Sequence, residues 1–199
     1  KNTTFTQERE MAKDGTTKDR VLQIAEQVGA LRYGDFTLAS GAKSNYYFDG
    51  RLISLHPEGS HLLGTSLLAE ITDSEIEAVG GPATAAIPLV TSISIASYLG
   101  GQNLTGFFVR SETKAHGTQK QIEGGLKEGL KVAIVDDVCT SGGSLFLAID
   151  AVEKLGCEVG VVLAILDRKQ GGSKELAKRG YTFRPLLEST SQGKVVVAN

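Results

Sequence analysis

Residues 132–144 read Val132-Ala133-Ile134-Val135-Asp136-Asp137-Val138-Cys139-Thr140-Ser141-Gly142-Gly143-Ser144. The apolar run Val132 to Val135 has the pattern of a short buried strand. Asp136 and Asp137 stand where that strand should end. A loop of small residues follows, and an amphipathic helical pattern begins at Leu145. A helix N-terminus presents unpaired N–H groups and partial positive charge, so it attracts phosphate. Gly142 and Gly143 let backbone approach an anion closely, and Thr140, Ser141 and Ser144 add hydroxyl donors. The two acids repel that phosphate. They suit a neighbouring group instead: vicinal ribose hydroxyls, Mg²⁺, or developing positive charge. The loop has no Gly-Lys-Ser/Thr and no GxGxxG spacing, which excludes the two commonest nucleotide loops. The combined pattern outweighs the plainer reading of a capped helix beside two solvated acids.

Outward from this stretch, apolar periodicity alternates. Helices are expected over 18–28, 57–71, 87–99, 143–155 and 174–178. Strands are expected over 36–38, 46–48, 78–81, 105–110, 131–135, 159–166 and 181–187. Alternation of this kind predicts an α/β fold with a central, mainly parallel sheet covered by helices on both faces. Ligands of such sheets bind past the carboxyl ends of the strands. Arg110, Asp136, Asp137 and Arg168 are expected at or just past such ends. His56 and His61 flank a helix start and read as surface residues without a partner. Cys139 reads as a small filler in the loop.

At 199 residues, with 41% hydrophobic and 22% charged residues, the chain suits one domain with a full core. Lys1 to Thr17 reads as a flexible arm, and 18–199 as the domain. A formal charge of −2 advertises no basic face for nucleic acid. No apolar run has bilayer-crossing length, and the polar opening residues do not read as a secretory leader. Cys139 and Cys157 have no framework spacing, so reduced thiols and a cytoplasmic location are expected.

The segment 132–144 resembles the 5-phosphoribosyl-1-pyrophosphate (PRPP) motif of type I phosphoribosyltransferases. The resemblance implies that Asp136 and Asp137 bond the ribose hydroxyls while Val138, Cys139, Thr140, Ser141, Gly142, Gly143 and Ser144 surround the 5′-phosphate. It also implies Mg²⁺, bound mainly through PRPP with no dedicated protein ligand.

A second signature is Arg110-Ser111-Glu112-Thr113-Lys114-Ala115-His116-Gly117, which opens a long polar loop over 111–125. Long structureless loops in compact domains are commonly functional. Arg110, Lys114 and His116 put cations where closure over a departing pyrophosphate would stabilise it and exclude water. This loop resembles the catalytic loop of the orotate phosphoribosyltransferase family. Three further segments share that resemblance: Phe36 to Gly41 with Ser44 to Asp49, Gly81 to Pro88, and Leu166-Asp167-Arg168. It implies catalytic roles for Lys114, His116, Arg110, Asp136 and Asp137, with the three cations also on PRPP. It implies an orotate pocket at Tyr47, Phe48, Thr140 and Arg168, beneath an N-terminal hood contributed by 18–56. It further implies a homodimer whose loop 111–125 is shared across subunits, and a place in pyrimidine biosynthesis. The chain departs from the family's pattern at Ala39, Ala85 and Ser111, where many or some members have Lys. Lys43 and Lys120 are candidates to compensate. A phosphoribosyltransferase for another base, or a PRPP-binding regulator without catalysis, remains open at this point.

Overall fold

The structure is a computed structural model, and it describes residues 16–37, 41, 43–71, 75–111 and 121–198. Helix α1 (Thr16–Gln27) leads into a two-stranded antiparallel hairpin, β1 (Leu31–Thr37) and β2 (Lys43–Phe48). Two helices follow, α2 (Gly50–Ser54) and α3 (Pro57–Ala69). Then come β3 (Ala78–Pro82), α4 (Ala86–Leu99), β4 (Thr105–Val109), β5 (Ile122–Gly124) and β6 (Lys131–Cys139). The rest is α5 (Gly143–Lys154), β7 (Glu158–Asp167), α6 (Gly172–Lys178), β8 (Phe183–Ser189) and β9 (Val195–Val197).

The main sheet has the order β5-β4-β3-β6-β7-β8-β9. Its five inner strands are parallel, and β5 and β9 close the edges antiparallel. The expected α/β class and mainly parallel sheet are present. Side-chain alternation sorts the core into two layers. On β6, Ala133 and Val135 join Val79, Leu163 and Ile165 beneath Leu63, Leu67, Leu89 and Ile93 of α3 and α4. Val132 and Ile134 face the other way, with Val162 and Ala164 beneath Leu145, Ile149 and Val152 of α5. Close packing of β3 on its neighbour requires glycine: a Cβ at Gly81 would lie 1.9 Å from the Val135 carbonyl oxygen.

Several elements differ from the expected spans. Strand β6 runs on through the acids to Cys139, with Asp136 opposite Ala164 and Cys139 opposite Asp167. The acids therefore lie inside the paired strand, not at its end. Ile122–Gly124, inside the expected loop, pairs antiparallel with β4. Strand β1 begins at Leu31, earlier than the apolar Phe36-Thr37-Leu38 triplet suggested, and its pairing with β2 shifts register between Tyr33 and Phe36. His56 has a partner: its Nδ1 accepts from the Gly59 N–H at 3.3 Å, capping α3. Of the expected arm, Lys1 to Gly15 lie outside the described residues, and Thr16–Thr17 open α1.

The β1–β2 hairpin leans on the β8–β9 turn. Asn45 donates to the Gln192 carbonyl at 3.1 Å, and the Val195 N–H donates to the Tyr33 hydroxyl at 3.1 Å. Among the described residues, no helix is long and apolar enough to cross a membrane.

Candidate active site

Strand β6 carries Asp136 into the interior, where only 4% of it is exposed. Ser144 Oγ donates to Asp136 Oδ2 at 2.6 Å, and the Asp137 N–H donates to Asp136 Oδ1 at 2.9 Å. Burial, with the neighbouring Asp137 charge second, pushes the Asp136 carboxyl up to about 7; the Ser144 bond opposes that shift. Burial also raises Asp137. This acid pair, Asp136 buried and Asp137 half-buried, gains from a ligand that supplies hydroxyl donors or positive charge. Asp137 packs directly on the start of α2: a Cβ at Gly50 would lie 2.5 Å from the Asp137 Cβ and 2.9 Å from its Oδ2. Only glycine leaves the carboxylate its place.

Behind the acids, Gly142 adopts φ 85° and turns the chain into α5 without any side-chain cap. The first amides of that helix, from Gly143 onward, have no intrahelical partners, which is the geometry that receives an anion. The turn is buttressed from below, since the Gly172 N–H donates to the Thr140 carbonyl at 2.9 Å. A Cβ at Gly172 would lie 2.6 Å from Cys139 Sγ. Cys139 is fully buried, and burial pushes its thiol up to about 12. It is the expected filler and no nucleophile. Thr140 is half-buried, Ser141 exposed and Val138 half-buried.

Strand β2 lines two clefts. One, of about 360 Å³, is bounded by Tyr47, Phe48, Asp49, Arg51, Thr84, Ala85 and Asp137. Arg51 donates to both oxygens of Asp49, at 2.8 and 2.9 Å, and that bond holds the Asp49 carboxyl below its ordinary value. The other cleft, of about 740 Å³, lies between the hairpin and the β8–β9 turn. Lys43, Ser44, Tyr46 and Arg168 are among its walls. Arg168 follows β7 directly. It is 8% exposed, its Cζ sits 4.9 Å from the Tyr46 ring centroid, and its Nη1 is buried without a hydrogen-bond partner among the described residues. A buried guanidinium fork with a free nitrogen is ready for a carboxylate.

The expected site residues thus gather in part. Asp136, Asp137, Tyr47 and Phe48 meet at or beside the smaller cleft, and Arg168 at the larger. Phe48 also belongs to the core, 5% exposed, while Tyr47 lies 5.7 Å from Phe36, ring to ring. Arg110 stands just past β4 with Nε 3.2 Å from Glu123 Oε1 on β5. The Arg110 N–H donates to the Gln121 carbonyl at 2.9 Å, and the Gln121 side-chain amide donates back to the Arg110 carbonyl at 3.3 Å. Lys114, His116, Ala39 and Lys120 lie outside the described residues; Ala85 lines the smaller cleft and Ser111 is exposed. Sequence reading missed the roles of Gly50 and Tyr46 and the Ser144–Asp136 bond. Period-two alternation in Ser44 to Phe48 was the available signal for Tyr46, since it sends Tyr46 and Tyr47 to opposite faces.

A parallel sheet, an acid pair within its central strand and an anion-receptive helix start behind them define a phosphoribosyltransferase, and the model of the phosphoribosyl transferase domain family matches residues 59–196. Relatives narrow this. The chain is 43% identical over 183 residues to an orotate phosphoribosyltransferase of Rhodopirellula baltica, covering 88% of this chain and 95% of that protein. It is 36% identical to one of Methanocaldococcus jannaschii, covering 85% and 93%. Among solved structures, the orotate phosphoribosyltransferase of Mycobacterium tuberculosis in complex with PRPP superposes with a TM-score of 0.73 at 30% identity, covering 86% of this chain and 96% of that one. The chain belongs to the orotate phosphoribosyltransferase family.

Proposed function

We infer that this chain transfers the 5-phosphoribosyl group of PRPP to N1 of orotate, giving orotidine 5′-monophosphate and pyrophosphate in pyrimidine biosynthesis. Family membership supports the reaction. The observation that carries the choice of base is Arg168, a buried cation with a free Nη1 in a cleft that also holds Lys43. Orotate has a carboxylate to match it; uracil and the purine bases have none.

In this reading the Gly143 and Ser144 amides hold the 5′-phosphate, and Thr140 and Ser141 add hydroxyls. Asp137, and Asp136 behind it, fix the ribose and suit the positive charge that grows at the anomeric carbon. Anchoring both ends of the sugar holds it for in-line attack. Orotate N1 ionises readily, so no strong protein base is required. Arg110, Lys114 and His116 stabilise the departing pyrophosphate. Tyr46 and Arg168 border the carboxylate end of the base in the larger cleft, and Tyr47 and Phe48 its sugar end beside Asp137, with Thr140 following on the same strand end.

Two carboxylates do not complete the shell of a hard cation, and Asp136 is already engaged by Ser144 and the Asp137 amide. Mg²⁺ therefore fits as an ion carried mainly on PRPP oxygens, with no dedicated protein ligand. When bound, it neutralises pyrophosphate charge.

We further propose a homodimer in which loop 111–125 serves the neighbouring subunit's site. Exposed Leu55, Ile95, Tyr98 and Leu99 on and near α2 and α4 support a buried partner face there. Residues 18–56 act as a hood over the base. Two buried free thiols support the cytoplasm as its location. The test is orotate absorbance: it falls when PRPP and Mg²⁺ are added together, and a flat trace with orotate but turnover of another base would overturn the assignment.

A further inference from the structure

Arg168 is buried beside Asp167, which is itself fully buried, yet among the described residues Asp167 Oδ2 and Arg168 Nη1 are both without a hydrogen bond. Buried charges of opposite sign normally neutralise each other. The Asp167 carboxylate faces Lys169 instead, and its Oδ2 is buried with no hydrogen bond among the described residues. Its Oδ1 accepts from the Lys169 N–H at 2.8 Å, and its Oδ2 lies 3.6 Å from Lys169 Nζ. That tight turn puts Lys169 at φ 55°, a left-handed conformation that few non-glycine residues adopt. The Lys169 ammonium reaches on to Glu188 Oε2 of β8 at 2.7 Å. Among the described residues, Arg168 has no carboxylate partner. Its backbone N–H donates to the Cys139 carbonyl at 2.9 Å, and its guanidinium rests on Tyr46.

We propose that Lys169 is a positioning residue for base recognition: held in place by Glu188, it engages Asp167, and so leaves Arg168 unpaired for the carboxylate of the incoming pyrimidine. The proposal rests on the orotate reading above. Without the Lys169 ammonium, the buried Asp167 carboxylate loses its cationic neighbour, and an internal pair with the adjoining Arg168 competes with substrate. Glu188 Oε2, 2.7 Å from the Lys169 ammonium, holds that ammonium 3.6 Å from Asp167 Oδ2.

Lys169→Asn tests this, because Asn tolerates the left-handed region while lacking the charge. Its KM for orotate should rise about tenfold or more, with kcat and the KM for PRPP within about twofold of wild type. Adding Asp167→Asn to Lys169→Asn should restore the orotate KM, since the competing anion is gone. Glu188→Gln, nearer the surface, should raise that KM by a smaller factor and keeps the test open if the Asp167 variant folds poorly. An unchanged orotate KM in Lys169→Asn overturns the proposal, as does a raised KM that Asp167→Asn fails to rescue in a folded protein. Wild-type enzyme that turns over a base other than orotate overturns the underlying reading too, which separates the two failures.

Discussion

Ser144 Oγ lies 2.6 Å from Asp136 Oδ2, so the first turn of α5 is tied to the middle of β6 by a short, charge-assisted hydrogen bond. The residue whose amide is proposed to hold the phosphate therefore also braces the acid proposed to stand behind the ribose. The sequence pattern suggested that the hydroxyl itself would donate to phosphate; in the structure it is spent on Asp136. Ser144→Ala keeps the amide and removes the brace. Hydrogen bonds to charged groups contribute about 1.5–3 kcal/mol, so kcat/KM for PRPP should fall roughly 10–100-fold. Steady-state kinetics with PRPP varied checks this, and Ser144→Thr should recover most of the loss. Equal activity in Ser144→Ala would make the bond incidental.

Asp136 gives the fold a pH dependence opposite to that of a salt-bridged acid. Its native pKa is raised from 3.8 to about 7 by burial and the Asp137 charge. Between those values the folded chain retains a proton that the unfolded chain has shed. Its contribution is fully present below about pH 4 and is lost as pH rises through 7. Asp136→Asn removes this loss. The variant should gain thermal stability over wild type at pH 8 and lose that advantage at pH 4. Melting curves at the two values decide it, and a constant difference would show that Asp136 does not carry the titration.

Two glycines near the site should respond oppositely to alanine. At Gly50 the new methyl would lie 2.5 Å from Asp137 Cβ, so the acid or α2 must shift. Overpacking of this kind costs about 1–3 kcal/mol, and PRPP affinity should fall with the melting temperature. At Gly143 the nearest atom to a new Cβ is Ser141 Oγ at 4.0 Å, ordinary contact. Gly143→Ala should fold at least as stably as wild type yet bind PRPP more weakly, because the methyl stands at the amides proposed for phosphate. Calorimetric titration with PRPP and Mg²⁺ beside a thermal melt separates the two effects. Undiminished affinity in Gly143→Ala would move the phosphate elsewhere.

The elements around the candidate site that sequence reading placed correctly are those whose chemistry is local. The glycine turn into α5 follows from Gly142-Gly143 alone, and the apolar runs Val132 to Val135 and Val159 to Leu166 announce central strands. The acids misled as a boundary: charge suggested the end of β6, but the pairing of Asp136 with Ala164 and of Cys139 with Asp167 is decided by β7, far along the chain. Short edges were invisible for a related reason. Ile122–Gly124 and Val195–Val197 have three residues each, too few to show a period, and exist because a neighbouring strand offers its edge. Helix α2 has five residues and rests on the Asp49 cap. Lys169, an ordinary surface lysine in sequence, acquires its interest only from a φ angle and from Glu188 on the next strand.

Arg168→Ala should separate base binding from sugar binding. The guanidinium lines the larger cleft, away from Asp137, which borders the smaller one. Its loss should raise the KM for orotate by about 10²-fold or more, since a charged, buried contact is removed, and leave PRPP affinity nearly intact. Arg168→Lys should recover little, because a point charge lacks the planar fork and the guanidinium's contact over the Tyr46 ring. Discrimination between orotate and uracil should shrink in both variants. Initial rates with each base measure all three effects, and a parallel rise in the PRPP KM would place Arg168 in the scaffold instead.

Lys114 and Asp137 should complement each other across subunits. If loop 111–125 serves the neighbouring site, each active centre takes its acid pair from one protomer and its Lys114 from the other. Lys114→Ala alone should lower kcat by roughly 10²–10³, the range for losing one preorganised charge stabiliser. Asp137→Asn alone should damage both PRPP binding and rate. In a mixed dimer, one of the two sites then collects both defects and the other collects neither. Unfolding and refolding an equimolar mixture should place about half of the chains in such hybrids, each with one intact site, so roughly a quarter of wild-type activity returns. An active centre built wholly within one chain predicts no recovery, because every site in the mixture would still carry one lesion.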